Sequence, residues 1–147
     1  MIAYKVTSIE GSSFVISKFK NFSGFDDEFT RFRSKFDLNY KIGKVTEPKV
    51  GKIFCFDDLK YAEEFVKDEF SYRIYKCEVQ KSKQRKFMAD LGAFSMESIL
   101  NYWNKYNKVL MGSIIEDAPF LRPMLDHAIL CDWVKPIKLI KVKNQLN

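Results

Sequence analysis

The sequence predicts an α+β fold: a single domain over residues 1–147 in which two or three helices pack on a twisted, mixed or mostly antiparallel sheet. Short runs of β-branched and aromatic residues recur along the chain, with helical patterns between them. No linker of biased composition divides the chain, and no repeat of fixed period appears. A chain of 147 residues is long enough to bury one self-sufficient hydrophobic core.

The predicted strands are short runs bounded by turn residues. The run at 2–10 and the run that begins at Phe14 flank a Gly-Ser turn, a pattern that predicts a hairpin. Lys135 and Pro136 separate the last two runs, because proline cannot donate to a strand ladder. The predicted strands are IAYKVTSIE (2–10), FVISKF (14–19), IFCF (53–56), SYRIYKCEVQ (71–80), KFMADL (86–91), AILCDWV (128–134) and IKLIKVK (137–143).

The clearest helical pattern is DDLKYAEEFVKDEF, residues 57–70. Asp57 is suited to cap its N-terminus, and Glu63 and Lys67 have the spacing and order of a favourable i,i+4 pair. The apolar residues recur at helical spacing and predict one buried face. That face consists of Leu59, Ala62, Phe65, Val66 and Phe70.

Two further helices are predicted, at 25–36 and at 95–108. In the first, FDDEFTRFRSKF, four phenylalanines recur at i, i+4, i+7 and i+11 with the charged residues between them. Large apolar residues at this spacing are more typical of a buried helix face than of a partner site. We therefore assign the phenylalanines to the core.

Charge, apolar runs and cysteine content limit the classes of protein to which this chain can belong. The formal net charge is +6, which permits an anionic partner without requiring one. No apolar run is long enough to span a membrane, and the N-terminus lacks the pattern of a signal peptide. The three cysteines, Cys55, Cys77 and Cys131, have no metal-site spacing and predict buried free thiols in a reducing, cytoplasmic environment.

Two segments concentrate the positive charge. KSKQRK, residues 81–86, has four cations in six residues, and its lysines and arginine are suited to contact an anionic partner. A solvated turn between strands explains the same segment. The partner-binding residues predicted here are Lys81, Lys83, Arg85 and Lys86. The second segment follows Trp133 and contains Lys135, Lys138, Lys141 and Lys143.

Few residues are candidates for catalysis. His127 is the only histidine, and no serine or cysteine lies in a recognisable nucleophile setting, so a structural role is favoured. Neither a metal nor a phosphate-loop motif is present in the sequence. Asp132 is a polar residue within an apolar strand, which alternation turns either to solvent or into a cleft.

The order of several segments resembles small ADP-ribosyltransferase-like domains. The segments are AYKV (3–6), YKIGK (40–44), GKIFCFDDLKYAEEF (51–65), YRIYKCEV (72–79) and ILCDWVKPIKLIKV (129–142). The arrangement Y-x-x-G-K followed by F-C-F is also similar to that of small viral and bacterial proteins. The resemblance implies a split, twisted sandwich with a cleft for NAD.

In this resemblance Tyr4 and Lys5 stand where the family holds the dinucleotide. Phe56 and Asp57 stand where a hydroxyl residue lines the nicotinamide pocket, and Asp132 stands near the catalytic glutamate. All three places depart from the family pattern. Lys5 lacks the fork of an arginine, and Asp132 is shorter than glutamate by one methylene.

Two hypotheses follow from the sequence. The first is a small basic binding protein that docks on a protein or nucleic-acid partner, for example a viral or mobile-element protein that inhibits a host system. It requires no cofactor. The second is an ADP-ribosyltransferase-like enzyme or nucleotide-binding protein that uses Asp132 for catalysis and Tyr4 and Lys5 for NAD.

Overall fold

A computed structural model describes residues 1–14, 36–83 and 127–145. In this part of the chain four antiparallel strands and one helix form a small, mostly β structure, which confirms the coarse α+β class. The elements are β1 (Ile2–Thr7), β2 (Ile53–Phe56), α1 (Leu59–Val66), β3 (Ser71–Lys81) and β4 (Ala128–Asn144). The predicted helix at 95–108 and strand at 86–91 lie outside the described residues, as does all but the last residue of the predicted helix at 25–36.

The four strands close on themselves in the order β1-β2-β4-β3. The described strands thus form one closed sheet, whereas the resemblance implied a split sandwich. Three register shifts interrupt the β3–β4 ladder, at Ile74/Tyr75, Lys76/Cys77 and Gln80/Lys81. Such bulges increase the local twist of a strand pair, which helps so few strands to close.

Alternate residues of every strand point into the closed sheet. Because successive side chains of a strand project to opposite faces, Ala3, Cys55, Cys77 and Cys131 share the inner face. Tyr40, from the loop before β2, belongs to the same cluster. The remaining members of this inner core are Ile53, Tyr75, Val79, Ile129 and Val134. The three cysteines are buried free thiols, as predicted.

Helix α1 covers part of the outer face. Ala62 and Val66 are fully buried against Val6 and Ile74, and Phe65 contacts the ring of Phe56 at a centroid distance of 5.4 Å. The apolar spacing seen in the sequence therefore packs the helix on β1, β2 and β3.

The sequence placed the ends of this helix incorrectly. Asp58, not Asp57, is the N-cap, and its carboxylate accepts a hydrogen bond from the Lys60 amide at 3.0 Å. The helix ends at Val66, so Phe70 lies beyond it and is 66% exposed rather than buried. Lys67 then pairs with Glu64 at 2.8 Å instead of with Glu63.

β4 is one continuous strand of 17 residues, not two strands separated by Lys135 and Pro136. The ring of Pro136 is fully buried, and its carbonyl accepts a hydrogen bond from Gly43 at 2.8 Å. The adjacent register shift tolerates a residue without an N–H, which explains why the proline does not end the strand.

The predicted N-terminal hairpin is only partly described. A tight turn follows β1 and returns the chain to an antiparallel bridge between Thr7 and Ser13. Gly11 in this turn has a φ of +83°, and a Cβ there would lie 3.2 Å from the Tyr40 carbonyl oxygen. The described ladder partners of β1 are β2 and β3.

Candidate functional site

Five lysines share the outer face of the β3–β4 pair. Tyr75, Cys77 and Val79 point inward, so the alternating residues of β3 and their partners on β4 point outward. We call this set the lysine face; it consists of Lys76, Lys135, Lys138, Lys141 and Lys143.

The lysine face contains an unfavourable pair. Lys76 lies directly opposite Lys138 in the register, and like charges in opposed positions destabilise a sheet. Lys141 approaches Glu63 at 3.9 Å. Within the described residues no carboxylate lies within 4.0 Å of the other lysines of this face. Glu78 lies opposite Lys135 in the register, whereas Lys76 and Lys138 face each other and have no facing carboxylate among the described residues.

Lys81 lies at one end of the strand pair, opposite Cys131, whereas Lys143 is opposite Tyr72, nine residues back along β3. At a rise of 3.2–3.4 Å per residue Lys81 and Lys143 are about 30 Å apart, but Lys135, opposite Glu78, is only about 10 Å from Lys81. Lys81 and Lys83 are exposed, and Arg85 and Lys86 lie outside the described residues.

The three residues assigned by the NAD hypothesis do not converge. Tyr4 packs on the outer face near α1, while Lys5 points to the inner face. Tyr4 is the register partner of Phe56, and Phe56 is the register partner of Ala128. Ala128 lies about 13 Å along β4 from Asp132. The carboxylate of Asp132 accepts a hydrogen bond from Lys52 at 2.7 Å and is partly exposed.

The side chain of Lys5 points toward the inner core, where polar contacts hold it. Its Nζ donates a hydrogen bond to the carbonyl oxygen of Phe54 at 2.9 Å and lies 5.2 Å from the ring centroid of Tyr40. Burial lowers the pKa of Lys5, but Tyr40 and the nearby thiols raise it by more, so the net shift is upward. Burial also raises the pKa of Tyr40.

The thiols near Lys5 titrate unequally. The pKa of Cys131 is raised because its thiol hydrogen-bonds to Cys55 and because the group is buried. Burial raises the pKa of Cys77. Burial also acts upward on Cys55, but the hydrogen bond from Cys131 and the charge of Lys5 outweigh it, so the pKa of Cys55 is lowered. Among residues 1–14, 36–83 and 127–145, no group of three or more His, Cys, Asp or Glu could hold a metal ion.

His127 forms a dyad that sequence reasoning missed. Its Nδ1 lies 2.7 Å from the carboxylate of Asp57, and its ring stacks on Tyr61 at a centroid distance of 4.0 Å. The Asp57 amide also donates to the His127 carbonyl oxygen at 2.9 Å. Asp57 is available for this pairing because Asp58 caps the helix.

An aspartate that orients a histidine is also found in catalytic triads, but a triad needs a nucleophile as well. No serine or cysteine of the described residues hydrogen-bonds to the ring of His127. The contacts with Asp57 and Tyr61 instead fasten the start of β4 to the N-terminal end of α1. This geometry supports the structural role that the sequence favoured for His127.

An open groove of about 720 Å³ runs between α1 and the C-terminal part of β4. Leu59, Tyr72 and Val142 give it an apolar floor, and charged side chains surround them. Those charged residues are Lys60, Glu63, Glu64, Lys67, Lys141 and Lys143. The groove therefore continues the lysine face toward the helix.

No helix in the described part of the chain is long and apolar enough to cross a membrane. Comparisons of the whole chain with protein-family models, with curated proteins and with solved structures gave no match.

Proposed function

We propose that this protein is a binding module that docks on an anionic macromolecule, protein or nucleic acid, through the lysine face. The observation that supports the proposal most strongly is the opposition of Lys76 and Lys138 on the outer face of the β3–β4 pair. Such a pair costs stability in the free protein, and an anionic group bound between the two ammonium groups would remove that cost.

The charge distribution supports the same proposal. A net charge of +6 attracts polyanions over long range, and the lysine face concentrates part of that charge on one rigid strand pair. Lys5 does not contribute to this surface, because it points to the inner face and its Nζ is held by the Phe54 carbonyl. A binding face on paired strands also requires no cofactor.

The test compares the two basic regions at equal loss of charge. One variant carries Lys76→Ala, Lys135→Ala, Lys138→Ala and Lys143→Ala; its control carries Lys81→Ala, Lys83→Ala, Arg85→Ala and Lys86→Ala. Binding to heparin, polyglutamate and an oligonucleotide duplex is measured at several salt concentrations. We expect the first variant to bind at least one of these polyanions about tenfold more weakly than the control does, with a smaller salt dependence.

Equal weakening of both variants would mean that net charge alone binds the probes, and the lysine face would be rejected as a site. Greater weakening in the control would move the site to residues 81–86. Both results are read only for variants whose melting temperature matches that of the parent protein.

The competing hypothesis, an ADP-ribosyltransferase-like enzyme, is tested by calorimetric titration with NAD. The proposed binding function predicts no heat of binding for the parent protein or for Asp132→Ala. Binding that is lost in Asp132→Ala would favour the enzyme instead.

A further inference from the structure

One edge of β4 lacks a described partner along its C-terminal half. β3 pairs with β4 from Ser71 to Lys81, but β2 covers the other edge only from Ala128 to Cys131. A bridge from Thr46 to Val134 and the bond from Gly43 to Pro136 extend this cover by a few residues. Beyond them, no described residue forms a strand pairing with the second edge at residues 137–143, which we call the open edge.

The open edge also exposes aliphatic side chains. Ile137 is 36% exposed, Leu139 38% and Val142 48%, and they lie among the lysines of the same strand. Phe70, 66% exposed, lies at the end of this strand, where its carbonyl accepts a hydrogen bond from Gln145. A row of unpaired backbone groups with apolar side chains is the surface to which an extended peptide adds as a further strand.

The groove beside α1 lies next to the open edge, since Lys141 and Val142 belong to both. Side chains of an added strand alternate between its two faces, so every second one could enter this groove. The lining of the groove contains Glu63 and Glu64 as well as four lysines, so the groove is not purely basic. In a segment of alternating acidic and aliphatic residues all carboxylates share one face. On the open edge they would lie on the side of Lys138, Lys141 and Lys143, with the aliphatic side chains on the side of Leu139 and Val142.

The charges of the open edge discriminate between possible strands. A second copy of this chain that paired through the same edge would bring Lys138, Lys141 and Lys143 close to the lysines of the other copy, and like charges on paired strands are unfavourable. An acidic strand would meet the same lysines with opposite charge. A nucleic acid would also neutralise the lysines. Its bases stack on aromatic side chains, however, and the open edge exposes the aliphatic residues Ile137, Leu139 and Val142 instead.

From these contacts we propose that the open edge of β4 binds an extended acidic segment of a partner protein as an added antiparallel or parallel strand. This inference rests on the proposed function, because it specifies the anionic partner of the lysine face. The backbone of the partner would pair with residues 137–143, and its carboxylates would neutralise the lysines of that strand.

The test uses the full chain and fluorescein-labelled probes, with binding measured by fluorescence anisotropy. The main probe is a short peptide in which Glu and Val alternate. Its matched control has the same sequence with N-methyl groups on every second residue, which blocks backbone hydrogen bonds without changing charge. A peptide of alternating Lys and Val and a single-stranded oligonucleotide of similar charge complete the set.

We expect the Glu-Val peptide to bind, the N-methylated peptide to bind at least about tenfold more weakly because strand pairing is lost, and the Lys-Val peptide not to bind. Equal binding of the N-methylated and parent peptides would overturn the added strand. Tighter binding of the oligonucleotide would overturn the peptide partner. Both of these results would leave the proposed function intact, whereas the absence of binding by every anionic probe would overturn it too.

A charge exchange gives a second, independent readout. The variant Lys138→Glu, Lys141→Glu and Lys143→Glu should bind the Lys-Val peptide in place of the Glu-Val peptide. Lys81→Glu with Lys83→Glu, at the other end of β3, should keep the preference of the parent protein. A variant that loses the Glu-Val peptide without gaining the Lys-Val peptide, while its melting temperature is unchanged, would count against paired strands. Light scattering of the parent protein must show a monomer, since a dimer through this edge would overturn the inference.

Discussion

Lys5 and Lys76 lie on neighbouring strands, one register position apart, yet their side chains point to opposite faces of the sheet. Lys76 is the partner of Tyr4, and Lys5 is the partner of Tyr75. Lys5 points into the closed sheet, where the Phe54 carbonyl and the Tyr40 ring hold its ammonium. Lys76 points outward to Lys138, and no carboxylate of the described residues lies within 4.0 Å of it.

The comparison shows that lysines of one sheet serve different purposes according to the face they occupy. A partly buried charge is stable only when polar groups replace the water it loses, as they do for Lys5. A lysine on the outer face keeps its contact with solvent and can bind another molecule. We therefore expect changes at Lys5 to alter folding and changes at Lys76 to alter binding.

The largest expected effect comes from alkaline pH, through the groups of the inner face whose pKa values are shifted. The pKa values of Cys77, Cys131 and Tyr40 are raised in the folded protein, so these groups ionise earlier in the unfolded chain. The pKa of Lys5 is also raised, so its contribution is complete below its unfolded pKa and is lost as the pH rises through its folded pKa. The free energy of unfolding should therefore fall above about pH 8.5, by about 1.4 kcal/mol per pH unit for each ionising group.

Urea denaturation between neutral pH and about pH 10, with a thiol reductant present, measures this loss. Cys77→Ala is the control, because it removes one of the groups and should make the decline shallower. The lowered pKa of Cys55 acts in the opposite direction and offsets part of the loss. A free energy of unfolding that stays constant up to about pH 10 would contradict the burial of these groups.

A smaller effect is expected from Lys5→Ala, which removes the bond to the Phe54 carbonyl and leaves space beside Tyr40. We expect a loss of about 2 kcal/mol in the free energy of unfolding. Lys76→Ala is the matched control and should change it by less than about 0.5 kcal/mol, as for most surface sites. If the two variants were equally stable, the division between an inner and an outer lysine would be wrong.

The smallest effect on stability is expected from Lys76→Glu, and its sign is informative. The change converts a like-charge pair with Lys138 into an opposite-charge pair, so we expect a gain of about 0.5 kcal/mol. The same variant should bind polyanions more weakly than the parent protein does. Lower stability together with unchanged binding would show that the opposition of the two lysines has no functional meaning. Thermal unfolding and salt-dependent titration measure the two quantities on one sample.

The sequence predicted the local elements best where pattern and burial agreed. IFCF is a strand with the predicted bounds. The predicted strand SYRIYKCEVQ is one residue shorter than the observed strand, Ser71–Lys81. The helix after IFCF was found, but its cap was assigned to the first of two adjacent aspartates, which propensity does not distinguish. Pro136 was taken as a strand boundary because a single sequence does not reveal a bulge.

The sites were less predictable than the elements. The sequence pointed to residues 81–86 because four cations lie within six residues there. The lysine face, in contrast, is formed by two strands that are distant in the chain. Likewise the dyad of Asp57 and His127 joins residues separated by 70 positions. Neither arrangement leaves a local pattern that spacing along the chain could reveal.

Composition and periodicity by themselves determined the α+β class, the positive charge, the free thiols and the apolar face of α1, because each depends on residue type and on neighbours in the chain. Only the tertiary structure decided that Lys5 points inward while Lys76 points outward, that β4 continues through Pro136, and that residues 137–143 form an open edge. Strand order and register set these features. They arise from hydrogen bonds between segments far apart in sequence, for which local propensity contains no information.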